Sequence, residues 1–293
     1  MGFMAVEHVQ TKREIAETLA EAGIQPRKRY GQHFLIDGNL MRRLVDSAEL
    51  DRSDRVLEVG PGTGGLTDLL ARRVDAMLAV EIDRDLLAVL EDRFRDTPGV
   101  ELFLGDVLGA KHRVCDAVAA FVNGDVGASG VVKLVSNLPY QVATPLILNL
   151  LVDHPRLVRL CFTLQAEVGE RITSGPNRRS YGPLAIISQI LCRVTTVARI
   201  PPEAFWPRPL VQSVMLRMDV GDPPFTDRAE LHRFVDLVRG TFDHRRKTLR
   251  SALSYILEGD RLERVCQAVD AGRRPESFTV AEWMQIHSLA NSE

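Results

Sequence analysis

Glu58-Val59-Gly60-Pro61-Gly62-Thr63-Gly64-Gly65 decides the fold of this chain. The stretch follows a β-rich run over 55–59 and leads into a helical pattern over 65–73. Glycines at a strand-to-helix turn let backbone approach a ligand closely, and the helix N-terminus offers amide donors to it. Gly60, Gly62 and Gly65 also satisfy the GxGxxG spacing, so a nicotinamide dinucleotide stays open at this point. A tight turn without a ligand is the bland alternative. Glu58 before the glycines and Pro61 among them favour S-adenosyl-L-methionine over the dinucleotide. Two acids downstream fit either nucleoside. Glu81, about 20 residues on, ends the second strand, where a carboxylate accepts hydrogen bonds from both hydroxyls of a ribose. Asp106 ends the third, where a carboxylate can accept from an adenine amino group.

Outward from this turn the pattern alternates. Strands are expected over 55–59, 76–80, 100–104, 131–136 and 157–163. Helices are expected over 65–73, 84–95, 113–122 and 145–152, the last with Thr144 as N-cap and Pro145 at its first position. Such alternation means an α/β fold, a parallel sheet with helices on both faces. Two more β-like runs, 193–200 and 211–218, follow a helical pair and are expected as an antiparallel hairpin at one edge. Gly221-Asp222-Pro223-Pro224 breaks the pattern. Beyond it only helices are expected, over 227–242, 247–257, 261–271 and 280–289, the last opened by a capping box at Thr279 and Glu282. Three parts are therefore expected: an N-terminal arm over 1–26, with a helix over 12–22 ended by Gly23, an α/β domain over 27–220, and a small helical domain over 221–293.

The chain has 293 residues, 45% hydrophobic and 26% charged, enough to bury a core and exclude wholesale disorder. A net charge of −2 argues globally against a nucleic-acid partner, but the sum hides clusters. Arginines outnumber lysines 32 to 5, and Arg27-Lys28-Arg29, Arg178-Arg179 and Arg245-Arg246-Lys247 with Arg250 are grouped. Cys115, Cys161, Cys192 and Cys266 are scattered without metal-ligand spacing, so neither a metal site nor a disulfide framework is expected. No apolar run reaches the roughly 18 residues of a membrane span, and residues 1–12 lack the features of a signal peptide. A cytoplasmic protein with no membrane partner is expected.

Ser136-Asn137-Leu138-Pro139-Tyr140 closes the fourth strand at the sheet's carboxyl edge, where open α/β sheets bind ligands. An adenine amino group is a poor nucleophile because its lone pair is delocalised into the ring. Two acceptors facing the NH2 hold it and localise that lone pair for in-line attack on a sulfonium methyl. The Asn137 side-chain oxygen and the Leu138 carbonyl are candidates for those acceptors. Pro139 fixes the turn and Tyr140 offers a ring for the base to stack on. Alone, the tetrapeptide is only a turn; at this place in this pattern it points to catalysis. No His or Tyr-Lys pair stands in a hydride-transfer arrangement, which disfavours the dinucleotide oxidoreductase.

These residues resemble the bacterial ribosomal RNA adenine dimethyltransferases, specifically the 16S enzymes of the kasugamycin-sensitivity family. The matching segments run in family order across 27–250. They are Arg29 to Leu35, Glu58 to Thr67, Glu81-Ile82-Asp83, Gly105-Asp106, Asn137 to Tyr140, Gly175-Pro176-Asn177 with Tyr181-Gly182, Phe205-Trp206-Pro207-Arg208-Pro209, and Phe242 with Arg245 to Leu249. The resemblance implies a class I (Rossmann-like) S-adenosyl-L-methionine-dependent methyltransferase sheet with a helical C-terminal domain. It implies dimethylation of two adjacent adenines in the 3′-terminal hairpin of 16S rRNA, on an immature 30S subunit, by a monomer. By position, Gln32, His33 and Leu35 line the cofactor site, and Gly60 and Gly62 pass beside its methionine portion. Glu81 binds the ribose, Asp106 the cofactor's adenine, and Asn137 borders the cofactor as well as the substrate. Phe205 stacks on the opposite face of the target base from Tyr140; read from the residues alone it is equally a core plug. Arg245, Arg246, Lys247 and Arg250 open a helix and meet RNA phosphates.

Departures from the family pattern are His33, where Asn is usual, Leu210 and Gln212, where Lys and Asp are usual, and a longer stretch over 109–132 with Gly/Ala/Ser-rich residues 124–130. The 23S rRNA methyltransferases of macrolide resistance share most motifs, but the Gln32–Leu35 arm and the Arg245–Leu249 segment favour the 16S enzyme. DNA adenine methyltransferases more often begin the tetrapeptide with an acid. A ribosome-assembly factor with secondary methylation is the reading from a different class.

Overall fold

A computed structural model of the chain describes residues 9–27, 30–110, 113–125 and 130–292. Lys28 and Arg29 of the first basic cluster, the first eight residues of the expected arm and residues 126–129 of the Gly-rich stretch lie outside the described residues. In chain order the elements are α1 (Lys12–Glu21), β1 (Phe34–Leu35), α2 (Gly38–Ser47), β2 (Arg55–Val59), α3 (Gly65–Ala71), β3 (Ala76–Glu81), α4 (Arg84–Phe94) and β4 (Val100–Leu104). Then follow β5 (Leu108–Ala110), β6 (Arg113–Val114), α5 (Asp116–Asn123), β7 (Val132–Asn137), α6 (Ala143–Asp153), β8 (Leu157–Gln165), α7 (Ala166–Thr173) and α8 (Pro183–Leu191). The chain closes with β9 (Cys192–Ile200), β10 (Phe205–Trp206), β11 (Ser213–Val220), α9 (Arg228–Asp243), α10 (Leu249–Leu253), α11 (Gly259–Ala268) and α12 (Val280–Asn291).

The chain divides into two compact units, residues 1–166 with 194–220, and residues 167–193 with 221–293. The first is built on a sheet of order β4-β3-β2-β7-β8-β11-β9. β2, β3, β4, β7 and β8 pair in parallel, and β11 runs antiparallel to β8. Strand order reverses between β2 and β7, so their carboxyl ends flank the crevice where such sheets bind ligands. Burial follows the parallel pattern: Val56, Leu57, Leu134 and Val135 are fully enclosed, as strands covered on both faces require. The arm belongs to this unit. Ile15 and Leu19 of α1, with Ile24, pack on Phe34 and Leu86, and Thr11 and Glu14 close a capping box that starts the helix.

The second unit takes in residues 167–193, so a single cut at residue 220 misplaces α8 and nearly all of α7. The reason is apolar packing across a long sequence gap. Tyr181, Ala185 and Ile186 share a core with Phe234, Val238, Phe242, Leu253 and Trp283, and the Tyr181 hydroxyl donates to the Phe278 carbonyl at 2.9 Å. Other elements differ locally. α6 begins at Ala143 behind Val142, not behind Thr144. The tight turn from the Pro139 carbonyl to the Val142 N–H feeds straight into the helix. Pro145 then sits within the first turn, where its missing N–H costs nothing. Residues 113–114 form a strand against β5 rather than opening α5. α10 is confined to five residues, capped by Thr248.

Candidate active site

Three strand ends converge on the switch point. The Ser136 hydroxyl donates to the Val59 carbonyl at 2.6 Å, stitching β7, one residue before its end, to the last residue of β2. Above them lies a cleft of about 1160 Å³, counting the part open to solvent. Gln32, His33, Leu35, Gly60, Gly62, Glu81, Asp106, Asn137, Leu138, Pro139 and Tyr140 all line it. Eleven residues drawn from five separate segments of sequence thus share one wall.

The glycines serve the protein's own packing as well as any ligand. Gly60 has φ +73° and Gly62 φ +63°, a region that costs other L-residues roughly 1–2 kcal/mol. A Cβ on Gly60 would lie 2.8 Å from Pro139 Cγ, and one on Gly62 2.7 Å from Phe34 Cε1. The turn therefore seats the Asn-Leu-Pro-Tyr segment on one side and the arm on the other.

Two carboxyls face this cleft from buried positions. Glu58 accepts from the Thr67 hydroxyl at 2.7 Å. Burial, with the nearby Glu81 charge adding to it, pushes its carboxyl up to about 8. Glu81 accepts from the Asp83 N–H at 2.9 Å and the Gly62 N–H at 3.2 Å, so it braces the glycine turn. Burial raises it too, against the pull of those amides. Asp106 is exposed, and one of its oxygens accepts from the Leu108 N–H at 2.9 Å.

The arm is fastened by polar contacts. The Gln32 amide is spent on structure: its oxygen accepts from the Arg27 N–H at 2.7 Å and its nitrogen donates to Asp83 at 3.0 Å. Arg27 also pairs with Asp83 at 2.6 Å and with Asp85, so its charge is matched within the arm. The His33 carbonyl accepts from the Asn137 side-chain nitrogen at 2.8 Å. The His33 ring stacks on Tyr140 with centroids 5.8 Å apart, and its Nδ1 lies 2.6 Å from the Pro207 carbonyl. A carbonyl only accepts, so Nδ1 carries the proton.

Asn137 is held from both ends. Besides the bond to His33, its side-chain oxygen accepts from the Thr163 hydroxyl. Thr163 is fully buried in β8, directly beside Asn137 in the parallel register, and its carbonyl accepts from the Leu138 N–H at 3.2 Å. The turn's own hydrogen bond ends on the Pro139 carbonyl and does not use that of Leu138. The Tyr140 hydroxyl shares a 3.0 Å hydrogen bond with Ser213, and burial raises its pKa above the ordinary phenol value.

Phe205 is not brought to the cleft. It is 2% exposed, pairs with Leu35 through β10 and β1, and packs with Met41, Ala204 and Met215. Pairing with β1 turns it inward, so the expected clamp across from Tyr140 is corrected to a core position; the ring that faces Tyr140 is His33. Sequence reasoning also missed Thr163, which reads as one more residue of a buried strand, and Gln10, whose side chain accepts from the Thr63 hydroxyl at 2.9 Å. The only hint for Thr163 was a hydroxyl in an otherwise apolar run. The departure at position 33 did mark the ring that stacks.

In the second unit, Arg245, Arg246 and Lys247 precede α10 instead of opening it. Arg245 pairs with Glu276 at 2.8 Å and donates to the Arg179 carbonyl at 3.2 Å. Arg250 pairs with Glu263 at 2.5 Å, and Lys247 lies over the Tyr255 ring and donates to its hydroxyl. Arg246 is exposed with no such partner among the described residues. Also among the described residues, no cluster of His, Cys, Asp or Glu is placed to hold a metal ion, and no helix is long and apolar enough to cross a membrane.

The family described as Ribosomal RNA adenine dimethylase matches residues 23–292. A Ribosomal RNA small subunit methyltransferase A from Moorella thermoacetica is 34% identical over 286 residues, 96% of this chain and 98% of its own. A protein of the same name from a Synechococcus strain is 37% identical, covering 90% of this chain and 94% of its own. Among solved structures, a dimethyladenosine transferase from Plasmodium falciparum superposes with a TM-score of 0.69 at 21% identity, over 87% of this chain and 96% of that one. The 23S rRNA methyltransferase ErmE does so at 0.64 and 22%, over 88% and 100%. These two establish the class I methyltransferase fold. With the strand ends, the glycine turn and the Asn-Leu-Pro-Tyr segment in one cleft, and relatives matching end to end, the chain belongs to the ribosomal RNA adenine dimethylase family.

Proposed function

We propose that this rRNA adenine dimethyltransferase uses S-adenosyl-L-methionine to dimethylate two adjacent adenines in the 3′-terminal hairpin of 16S rRNA, on immature small subunits. The observation that carries the reading is the doubly held Asn137 beside Tyr140, opening on the same cleft as Glu58 and Glu81. The curated relatives' small-subunit names favour 16S over 23S rRNA.

The cleft fits the cofactor. Two buried carboxyls with no cationic partner among the described residues suit a cationic ligand bearing ribose hydroxyls, and Asp106 suits an adenine amine. Glu81 would take the ribose, and the backbone at Gly60, Gly62, Gln32, His33 and Leu35 would wall the rest. The cofactor supplies an electrophilic methyl on a sulfonium. The chain supplies orientation. Asn137 Oδ1, turned by Thr163, keeps a lone pair for the target NH2, and the Leu138 carbonyl is the second acceptor. Together they hold the amine and localise its lone pair. Tyr140 stacks on the base, its ring fixed through Ser213. Pro139 sets the turn against Gly60.

In the second unit, Arg246 and Lys247 are free of acidic partners among the described residues and would meet RNA phosphates; Arg245 and Arg250 would first have to leave Glu276 and Glu263. We place the enzyme in the cytoplasm, acting as a monomer. The test is methyl incorporation from labelled S-adenosyl-L-methionine into 30S particles lacking the modification, followed by nucleoside mass analysis. Dimethyladenosine in the 3′-terminal hairpin is expected. Labelling of naked 23S rRNA or DNA with none in 30S particles would overturn the assignment.

A further inference from the structure

The loop over 207–212 joins β10 to β11, and both its ends are tied to the ring pair of the active site. At the first end the Pro207 carbonyl lies 2.6 Å from His33 Nδ1. At the other, Ser213 shares a hydrogen bond of 3.0 Å with the Tyr140 hydroxyl. His33 and Tyr140 stack on each other. Leu210 stands midway, three residues from either anchor, so its Cα lies no more than roughly 11 Å from each.

Leu210 is fully exposed, at 102% of its reference area, and Val211 follows at 46%. A large aliphatic side chain held wholly in water gains nothing for the folded state. The loop beneath it is pinned, because Pro209 and Ser213 are buried on either side. Its composition, Pro-Arg-Pro-Leu-Val-Gln, contains no acid to repel phosphate. The neighbouring carboxylate Glu203 is paired with Arg208 at 2.5 Å.

We propose that Leu210 is a wedge, which enters the base stack beside the target adenine and fills the gap left when that adenine turns into the cleft. The proposal rests on the rRNA adenine reading above and adds to it the group that unstacks the substrate. Stacked bases resist removal, and apolar side chains inserted between base steps offset that cost in other nucleic-acid-binding proteins. An aliphatic tip suits this role because every base presents an apolar face. It also explains why a Leu can stand where the family usually carries Lys: the contact is to a base face and not to a phosphate.

The test uses the full-length enzyme and an RNA hairpin with adenine at the target position for turnover, beside a copy carrying 2-aminopurine there, which has no 6-amino group to methylate and whose fluorescence rises on unstacking. A second adenine hairpin has an abasic site next to the target, which removes the stack in advance. Leu210→Ala, a surface change, is expected to lose most of the fluorescence rise and about 10-fold in turnover on the stacked hairpin. On the abasic hairpin its turnover should be within about twofold of wild type, and cofactor affinity by calorimetry should be unchanged. An equal loss on both hairpins, or a full fluorescence rise with the variant, would overturn the wedge. So would a change in mass by light scattering, which would assign Leu210 to contact between copies of the chain. If the wild-type enzyme methylates neither hairpin nor 30S particles, the rRNA adenine reading itself fails; if it does and Leu210→Ala matches it, only the wedge fails.

Discussion

The two ends of the central sheet handle charge in opposite ways. At the carboxyl ends of β2 and β3, Glu58 and Glu81 are buried against a cleft and driven toward the protonated form. At the other end, where β8 starts and β11 finishes, Arg159 meets Glu49 at 2.8 Å and Asp219 at 2.6 Å, while Arg217 meets Glu49 at 2.5 Å and Asp219 at 3.0 Å. There the Glu49 carboxyl, bonded by Arg217 and then Arg159, is held down to about 2. Lys133 and Asp54 form a further, buried pair at 2.7 Å beneath β7. In this network each charge is answered within the protein. The other end leaves two buried carboxyls without a cationic partner among the described residues, at a cost to folding.

That contrast breaks down if the cleft end proves to be merely structural. Its sharpest test is Asn137→Ala, expected to cut turnover by about 10³-fold while cofactor binding, read by calorimetry, changes little. Near-normal turnover would remove the acceptor role.

The next test is pH. Glu58 keeps its proton in the folded chain up to about pH 8, against an ordinary value of 4.5 when unfolded. Between those values the unfolded chain gives up the proton first, so stability falls as pH rises from 4.5 to 8 and levels off above. The full excursion is on the order of a few kcal/mol. Glu58→Gln should flatten it, seen as urea midpoints at pH 5 and pH 8 that lie closer together than those of wild type. Midpoints that separate as before would take Glu58 out of the account.

Smaller in size is the effect of Thr163. Thr163→Val keeps the shape and removes the hydroxyl, and should lower kcat about 10- to 100-fold with the KM for cofactor nearly unchanged. Thr163→Ser should restore most of it. A loss that Ser does not rescue would mean that packing, not the hydrogen bond, matters there. The smallest effect belongs to the matched end. Because the Glu49 carboxyl is held low, its contribution is present above pH 4.5 and is lost as pH falls toward 2. Glu49→Gln should lower Tm by about 2 °C at pH 7 and not at pH 2, since exposed pairs are screened by water and salt. Turnover should not move.

How far the sequence could be read followed from how local each decision was. The turn from Val59 to Gly65 and the closure of β7 at Asn137 depend on residues adjacent in the chain, and both were legible. Phe205 was not, because its inward orientation is set by Leu35, 170 residues earlier. The basic clusters misled for the same reason. Arg245 and Arg250 look like a free patch until Glu276 and Glu263 are folded against them. The boundary after residue 220 coincides with an edge of the second unit, but residues 167–193 were not legible as part of it, because Tyr181 reaches Phe278 across a long stretch of sequence. Thr163 escaped notice because only the register of β7 against β8 places its hydroxyl on Asn137.

The two-residue pairing of Phe34-Leu35 with Phe205-Trp206 has a bearing on how the enzyme is made. One wall of the cleft comes from the start of the chain, yet it is latched by residues that leave the ribosome some 170 positions later. Until then the arm is held by its apolar packing on Leu86 and by its polar contacts to Thr63, Asp83 and Asn137. Closing so long a loop carries its entropy cost before the short strand pair rewards it. The cleft is therefore among the last features of this unit to be completed during translation, and a nascent chain stopped short of Phe205 would carry the Asn-Leu-Pro-Tyr segment without the finished pocket around it.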